Sequence, residues 1–286
     1  MSAAAAGTPA VVERPARAPR PSRTGAVPSR TTAAVLLTVV SALFLLPIAA
    51  MLEFTLRDGR AGHTLTHYAA LVDPAQESTY DDLFSGIGNS LVLAVITVAI
   101  VLLVLLPAML LAELRYPRVR RAVELVCLLP ITIPTVVLVV GFVPVYQVIG
   151  SVSTDAWTLA PAIGVIVLPY AYRPIQANLG ALQLTVLSEA ARSLGAGWWS
   201  VVARILLPNL RRGILSACFL TIAVVLGEFT IATFLSQNTF QTALLLLQQT
   251  DPYVSTICSV LSLLLVFVLL VVIGRFGSIT RTRRSR

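Results

Sequence analysis

Six stretches of this chain are long and apolar enough to cross a bilayer, and no other feature constrains the fold as strongly. A helix rises about 1.5 Å per residue and must traverse about 30 Å of hydrocarbon, so it needs roughly 20 residues with few charges. Such runs occupy approximately residues 32–54, 87–111, 123–149, 157–179, 213–235 and 254–274. The composition agrees, because 57% hydrophobic and only 12% charged residues make more apolar surface than a water-soluble core can hide. Backbone polar groups in lipid must be satisfied within the segment, so the fold class expected is an all-α membrane protein of six transmembrane helices.

All 21 basic residues are Arg, and their positions predict the orientation. Arg14, Arg17, Arg20, Arg23 and Arg30 precede span one, and Arg115, Arg118, Arg120 and Arg121 separate spans two and three. Arg192, Arg204, Arg211 and Arg212 lie between spans four and five, and Arg275, Arg281, Arg283, Arg284 and Arg286 follow span six. Eighteen of the 21 thus fall on one side, which the positive-inside rule makes cytoplasmic, along with both termini. The net charge of +8 is explained by that asymmetry, and no aromatic-basic element points to nucleic acid.

Residues 1–30 are rich in Ala, Pro and Arg without apolar periodicity, which predicts a disordered cytoplasmic tail. The run after it is longer than a signal-peptide core and lacks a small-residue cleavage site, so span one is expected to stay attached. A permease-like membrane domain is expected over 31–275 and a basic cytoplasmic tail over 276–286. Cys127, Cys218 and Cys258 fall inside spans without close spacing, which suggests packing residues rather than disulfides or metal ligands. His63 and His67 are spaced to share a helix face, but two ligands make a poor metal site, and the expectation is none.

Catalytic machinery is missing from the sequence. A Walker A loop needs a Lys, and the chain has none; G-x-S-x-G and H-E-x-x-H are also absent. The expectation is no catalytic residue and no cofactor on this chain, with energy arriving from a partner or a gradient.

The segment 186–208 stands apart from the apolar runs. Ser188 is a good N-cap, and Glu189 suits the positive end of a helix beginning there or a turn earlier. Glu189 and Arg192 are spaced to pair, Ala190 and Ala191 keep the helix surface low, and Gly195 and Gly197 around Ala196 can take positive φ and turn the chain. A second short helix, about Trp198 to Leu206, would lay Trp198, Trp199, Val202 and Ile205 along the membrane interface before Pro208 ends it and opens span five.

The series Glu189-Ala190-Ala191, Gly195, Ile205, Leu207 and Pro208 resembles, at every position, the EAA signature of the permease subunits of bacterial binding-protein-dependent ABC importers. Weaker likeness extends over residues 31–275, in Asn89-Ser90-Leu91 and in Leu129-Pro130 followed by Ile133-Pro134. The resemblance implies a type I importer permease with a cytoplasmic coupling helix between spans four and five, docked on ATP-binding subunits. It assigns ATPase coupling to Glu189, Ala190, Ala191, Arg192, Gly195, Ala196, Gly197, Ile205, Leu207 and Pro208. The implied partners are two ATP-binding subunits carrying ATP and Mg, a second permease of a different chain, and an extracytoplasmic solute-binding protein or lipoprotein. The implied location is the bacterial plasma (inner) membrane. An ion-coupled secondary transporter is the alternative, but it leaves residues 189–208 without a role.

Three residues within the spans are candidates for the translocation pathway: Glu228, Arg173 and Tyr170. A charge in hydrocarbon costs at least about 2.5–3.5 kcal/mol unless it faces protein or water. For Arg173, in the inner half of span four, the competing reading is snorkelling to headgroups; for Glu228, it is a hydrogen-bonded structural role. Pro130, Pro134 and Pro144 predict a kinked span three. Leu226-Gly227-Glu228-Phe229-Thr230 and Phe240-Gln241-Thr242 look most like the spermidine and putrescine branch, with iron, thiamine and phosphonate importers as alternatives.

Overall fold

The computed structural model describes residues 29–58, 62–73, 79–151, 153–181 and 184–279. The expected tails, apart from residues 29–30 and 276–279, lie outside the described residues. Two compact units divide the chain at Pro47. In the first, residues 1–47, the described part is helical from Arg30 onward. That helix, α1, runs over Arg30–Leu56 with Pro47 inside it. All other elements belong to residues 48–286.

After α1 come a hairpin of two short strands, β1 (Arg57–Asp58) and β2 (Gly62–His63), and a five-residue helix α2 (Thr66–Ala70). Helix α3 (Asp81–Ile100) passes through a π turn, Val101–Leu105, into α4 (Leu106–Leu114). Helix α5 (Arg120–Leu128) and a 3-10 turn, Leu129–Thr132, lead to α6 (Thr135–Gly150). A second 3-10 turn, Ala156–Leu159, opens α7 (Ala160–Ala181). Then follow α8 (Leu184–Ser193), α9 (Trp198–Val201), a π turn over Val202–Leu206 and α10 (Leu207–Leu226). The last three are α11 (Thr230–Phe234), α12 (Phe240–Thr250) and α13 (Pro252–Ile279).

Among the described residues, five helical stretches are long and apolar enough to cross a membrane, and six if α5 and α6 form one broken span. Spans one, two, four and six fall where the hydropathy places them. The third and fifth differ. The expected kink in span three is a full break of 107° between Thr132 and Thr135, with Ile133 extended at φ −101°, ψ 126°. The cause is Pro134, whose ring pushes the preceding residue out of the α region. Pro144, by contrast, sits inside α6 without breaking it.

Span five is shifted toward the N-terminus. The continuous helix covers Trp198–Leu226, not 213–235, because Pro208 does not stop it and Gly227 does. Pro208 has no N–H to give to the Arg204 carbonyl, so an unbroken α-helical ladder is impossible there. The π turn absorbs the defect: Leu207 N–H reaches back five residues to Val202, and the Asn209 side-chain amide donates to the Ile205 carbonyl at 2.7 Å. The same device precedes Pro107, where Leu106 N–H bonds Val101. A Leu-Pro pair follows directly on both π turns.

The core is the contact between α7 and α10. One face of α7 buries Ile163, Val167, Ala171, Ile175 and Leu179 at helical spacing, and α10 meets the core with Leu210, Gly213, Ala217 and Thr221. In lipid there is no hydrophobic force between helices, so close packing of small residues and hydrogen bonds must hold them. Gly213 supplies the closest approach, since a Cβ there would stand 2.8 Å from the Pro174 carbonyl oxygen and 2.9 Å from Asn178 Cβ.

Polar side chains tie α12 onto α3. Asn89 donates to the Asn238 carbonyl at 2.9 Å, and Ser90 accepts the Phe240 N–H at 2.9 Å, so the Asn-Ser pair anchors the turn before α12. Gly86 lies against that turn, 2.8 Å from the Thr239 carbonyl at its Cβ position. Tyr80 donates its hydroxyl to Asp251, whose other oxygen accepts the N–H groups of Tyr253 and Val254 and caps α13. Tyr253 in turn is stacked between Phe54 and His67, with centroids 5.0 and 4.1 Å away.

Candidate functional site

The segment 186–208 forms a helix, a tight turn and the start of a second helix. Helix α8 begins at Leu184, so Ser188 is an interior, buried residue and not the N-cap. Its C-terminus is a Schellman motif. Ala196 N–H donates to the Ala191 carbonyl at 3.1 Å, and Gly195 N–H donates to Arg192 at 3.0 Å. The motif requires a left-handed residue, and Gly195 takes it at φ +84°. Gly197, also expected to use positive φ, is extended at φ −69°, ψ 157°, where it serves as the N-cap position of α9.

The turn divides its residues by role. Ala191 and Ala196, the two ends of the Schellman bond, are half-buried against the core, while Glu189, Ala190, Arg192 and Gly197 are exposed. Glu189 and Arg192 do not pair; the ion pairs among the described residues are Arg57–Glu53 and Arg120–Glu113. At the tip, Leu194 is 90% exposed and Trp199 is 81% exposed. The expected second helix of Trp198–Leu206 is therefore not separate. It is the first turn and π turn of a rod of 29 residues, with Val201 and Leu206 fully buried and Ile205 and Leu207 half-buried. That rod is about 43 Å long.

Tyr170 and Arg173 sit three residues apart on α7, both exposed, on the side away from its buried face, whereas the neighbouring Tyr172 is buried. Glu228 is elsewhere. It follows Gly227 in the gap between α10 and α11, and is only 9% exposed. Its two carboxylate oxygens accept the N–H groups of Ile231 at 2.7 Å and Ala232 at 3.2 Å, the orphan donors of the first turn of α11. Across the gap, Gln241 Nε2 donates to the Leu226 carbonyl at 3.0 Å. A cavity of about 280 Å³ adjoins Leu226, Gly227, Gln241 and Ser259.

Sequence reasoning missed Gln241 as a cap and Gly213 as a contact. The Gly213-x-x-x-Ala217-x-x-x-Thr221 spacing was a signal for the second. The two histidines do not share a helix face, since His63 is on β2 while His67 is in α2, bonded to the Arg57 carbonyl. Among the described residues no cluster of three His, Cys, Asp or Glu stands ready for a metal.

A bundle of membrane-spanning helices with an exposed turn leading directly into its penultimate span is the architecture that the sequence signature at 189–208 predicts for a permease. Residues 104–277 match the family described as the binding-protein-dependent transport system inner membrane component, and the chain belongs to that family. It is similar to the "Sulfate transport system permease protein CysT" of Escherichia coli K12, with 30% identity over 195 residues, covering 60% of this chain and 70% of the relative. It is also similar to the "Sulfate transport system permease protein CysW" of a Synechocystis strain, with 42% identity over 67 residues, covering 22% of this chain and 23% of the relative. The chain is thus a multi-pass inner-membrane permease subunit of an ABC importer, a transport component and not an enzyme. The spermidine and putrescine branch finds no support in these relatives.

Proposed function

We propose that this chain forms half of the solute pathway of an importer for sulfate or a similar tetrahedral oxyanion, driven by ATP hydrolysis on a partner. The observation that carries the substrate class is the kinship with two sulfate permeases. The charges agree: Arg173 is exposed on the most buried span, while the Glu228 carboxylate is turned into main-chain N–H groups and offers a cation little. Arg173 and Tyr170 are the pathway residues on this reading, with Arg173 lowering the cost of an anion's passage.

The segment 186–208 is the coupling site for an ATP-binding subunit that carries ATP and Mg. Glu189, Ala190, Arg192 and Gly197 present the contact surface, Gly195 shapes it through its left-handed turn, Ala191, Ala196, Ile205 and Leu207 seat it on the bundle, and Pro208 imposes the π turn that joins it to span five. A second ATP-binding subunit, a second permease of a different chain, and a solute-binding protein or lipoprotein complete the importer. On this reading both termini face the cytoplasm, which the excess of arginine on that side supports.

The test is reconstitution of the purified complex in vesicles, with radiolabelled sulfate and spermidine supplied in parallel. Sulfate uptake that depends on internal ATP supports the reading; uptake of spermidine alone, or uptake driven by an ion gradient without ATP, sinks it.

A further inference from the structure

Helix α10 and helix α11 are two pieces of one interrupted path, and each side of the interruption is closed by a side chain. Where a helix stops, its last carbonyls and the first N–H groups of the next helix lose their partners, and a buried break must find replacements within the protein. Gln241 of α12 covers the carbonyl side through Leu226, and Glu228 covers the N–H side through Ile231 and Ala232. The Glu228 carboxylate has no ion-pair partner among the described residues, so main-chain N–H groups hold it.

This placement matters because of what lies at either end. Below the gap, α10 is continuous back to Trp198, three residues after the turn at Gly195, so a push at Trp198 and Trp199 is delivered through a single rod to Gly227. Beyond the gap, α11 packs against α6 and the Ala156–Leu159 turn. Ile231 and Ala232 are both fully buried in the same cluster as Val139 and Leu159. The cavity of about 280 Å³ beside Gly227 and Gln241 leaves room for the joint to change its angle.

We propose that Glu228 is a positioning residue that transmits movement of α10 to α11, and through α11 to α6, so that the solute pathway opens in step with the ATPase. Glu228 does not touch solute on this account. It acts as a clamp, and its loss leaves the rod moving without its load. The inference rests on the reading of 186–208 as the ATPase coupling site.

The experiment uses the complete importer in vesicles, with the native cysteines 127, 218 and 258 changed to Ser. Spin labels go on Val145→Cys in α6 and on Val95→Cys in α3, which is outside the path from α10 through α11 to α6, both at exposed residues. In the parent complex, nucleotide binding shifts the label distance and ATP drives sulfate uptake. In Glu228→Ala, uptake falls about tenfold or more, the scale of a coupling free energy between sites, and the distance shift is lost while ATP hydrolysis continues. Glu228→Gln keeps one acceptor for Ile231 and gives an intermediate loss of both readouts. It is read alone if the Ala variant fails to assemble. Uptake and distance shift both at parental level in an assembled variant overturn the proposal. A parent complex that shows no ATP-driven uptake sinks the coupling reading instead, whatever the variants do.

Discussion

Gly213 on α10 lies so close to Pro174 on α7 that a Cβ would stand 2.8 Å from the Pro174 carbonyl oxygen. Backbone cannot yield as a flexible side chain does. Overpacking of this kind costs about 1–3 kcal/mol, more where the obstacle is main chain. Gly213→Val therefore lowers the thermal midpoint of the detergent-purified protein, while Gly180→Ala, whose Cβ would meet nothing within 4 Å, is neutral. Equal midpoints for Gly213→Val and the parent would show that α7 and α10 are not in close contact.

Gly195 holds φ +84° at the end of α8, with open space around its Cβ position, so a substitution there is penalised by backbone conformation alone. The left-handed region costs a non-glycine residue about 1–2 kcal/mol. Gly195→Val unravels the Schellman turn and redirects Leu194 and Trp199. The expected result is loss of sulfate-stimulated ATP hydrolysis in the reconstituted importer with little change in the melting of the bundle. Gly195→Asn, which tolerates the left-handed region better, retains more of the activity.

Tyr80 is buried and its hydroxyl donates to Asp251, and burial first, then the nearby carboxylate, raises its pKa above 10. A raised phenol pKa means that the folded protein holds the proton more tightly than the unfolded chain. The stabilisation is complete below pH about 10 and is lost as pH climbs toward the folded value. The thermal midpoint is therefore expected to fall above pH 10 in the parent and less in Tyr80→Phe. At pH 7 the Phe variant is less stable by about 0.5–1.5 kcal/mol, the net worth of one hydrogen bond. Parallel pH profiles for the two proteins would remove Tyr80 from the account.

Ser90 accepts the main-chain N–H of Phe240, buried at the start of α12. Ser90→Ala leaves that donor without a partner, at about 1–3 kcal/mol, and loosens α12 from α3. Hydrogen exchange of the α12 amides reads the change directly: protection drops in Ser90→Ala and holds in a variant at an exposed α3 position such as Leu91→Ala.

Arg173 lies on the exposed face of α7, and on the proposed reading it meets the anion in transit. Arg173→Gln raises the apparent KM for sulfate about tenfold, equivalent to about 1.4 kcal/mol. Arg173→Lys keeps a charge and loses less. If Gln and Lys variants take up sulfate with the parental KM, Arg173 is reaching lipid headgroups and not solute.

Much of this architecture is legible along the chain because each such feature is a local property. Apolar runs of the length of a bilayer locate spans one, two, four and six, since the bilayer tests hydropathy segment by segment. The turn at Gly195 is equally local, as a left-handed C-cap needs only the right residue at the right place. Pro208 and Pro134 show where locality ends. Both are prolines in apolar surroundings, yet one is absorbed by a π turn and an Asn209 bond while the other turns the chain by 107°.

By itself, then, the sequence determined that the chain resides in a membrane, how many helices it could thread and where its exposed knuckle falls, because composition, run length and a glycine are properties of neighbours in the chain. Tertiary structure alone decided that Gln241 covers the Leu226 carbonyl where α10 ends and that Gly213 brings α7 and α10 together. Those outcomes depend on partners 15 to 39 residues away, as between Gln241 and Leu226 or Gly213 and Pro174, and hydrogen bonds and contact between helices in lipid form only once the bundle has assembled.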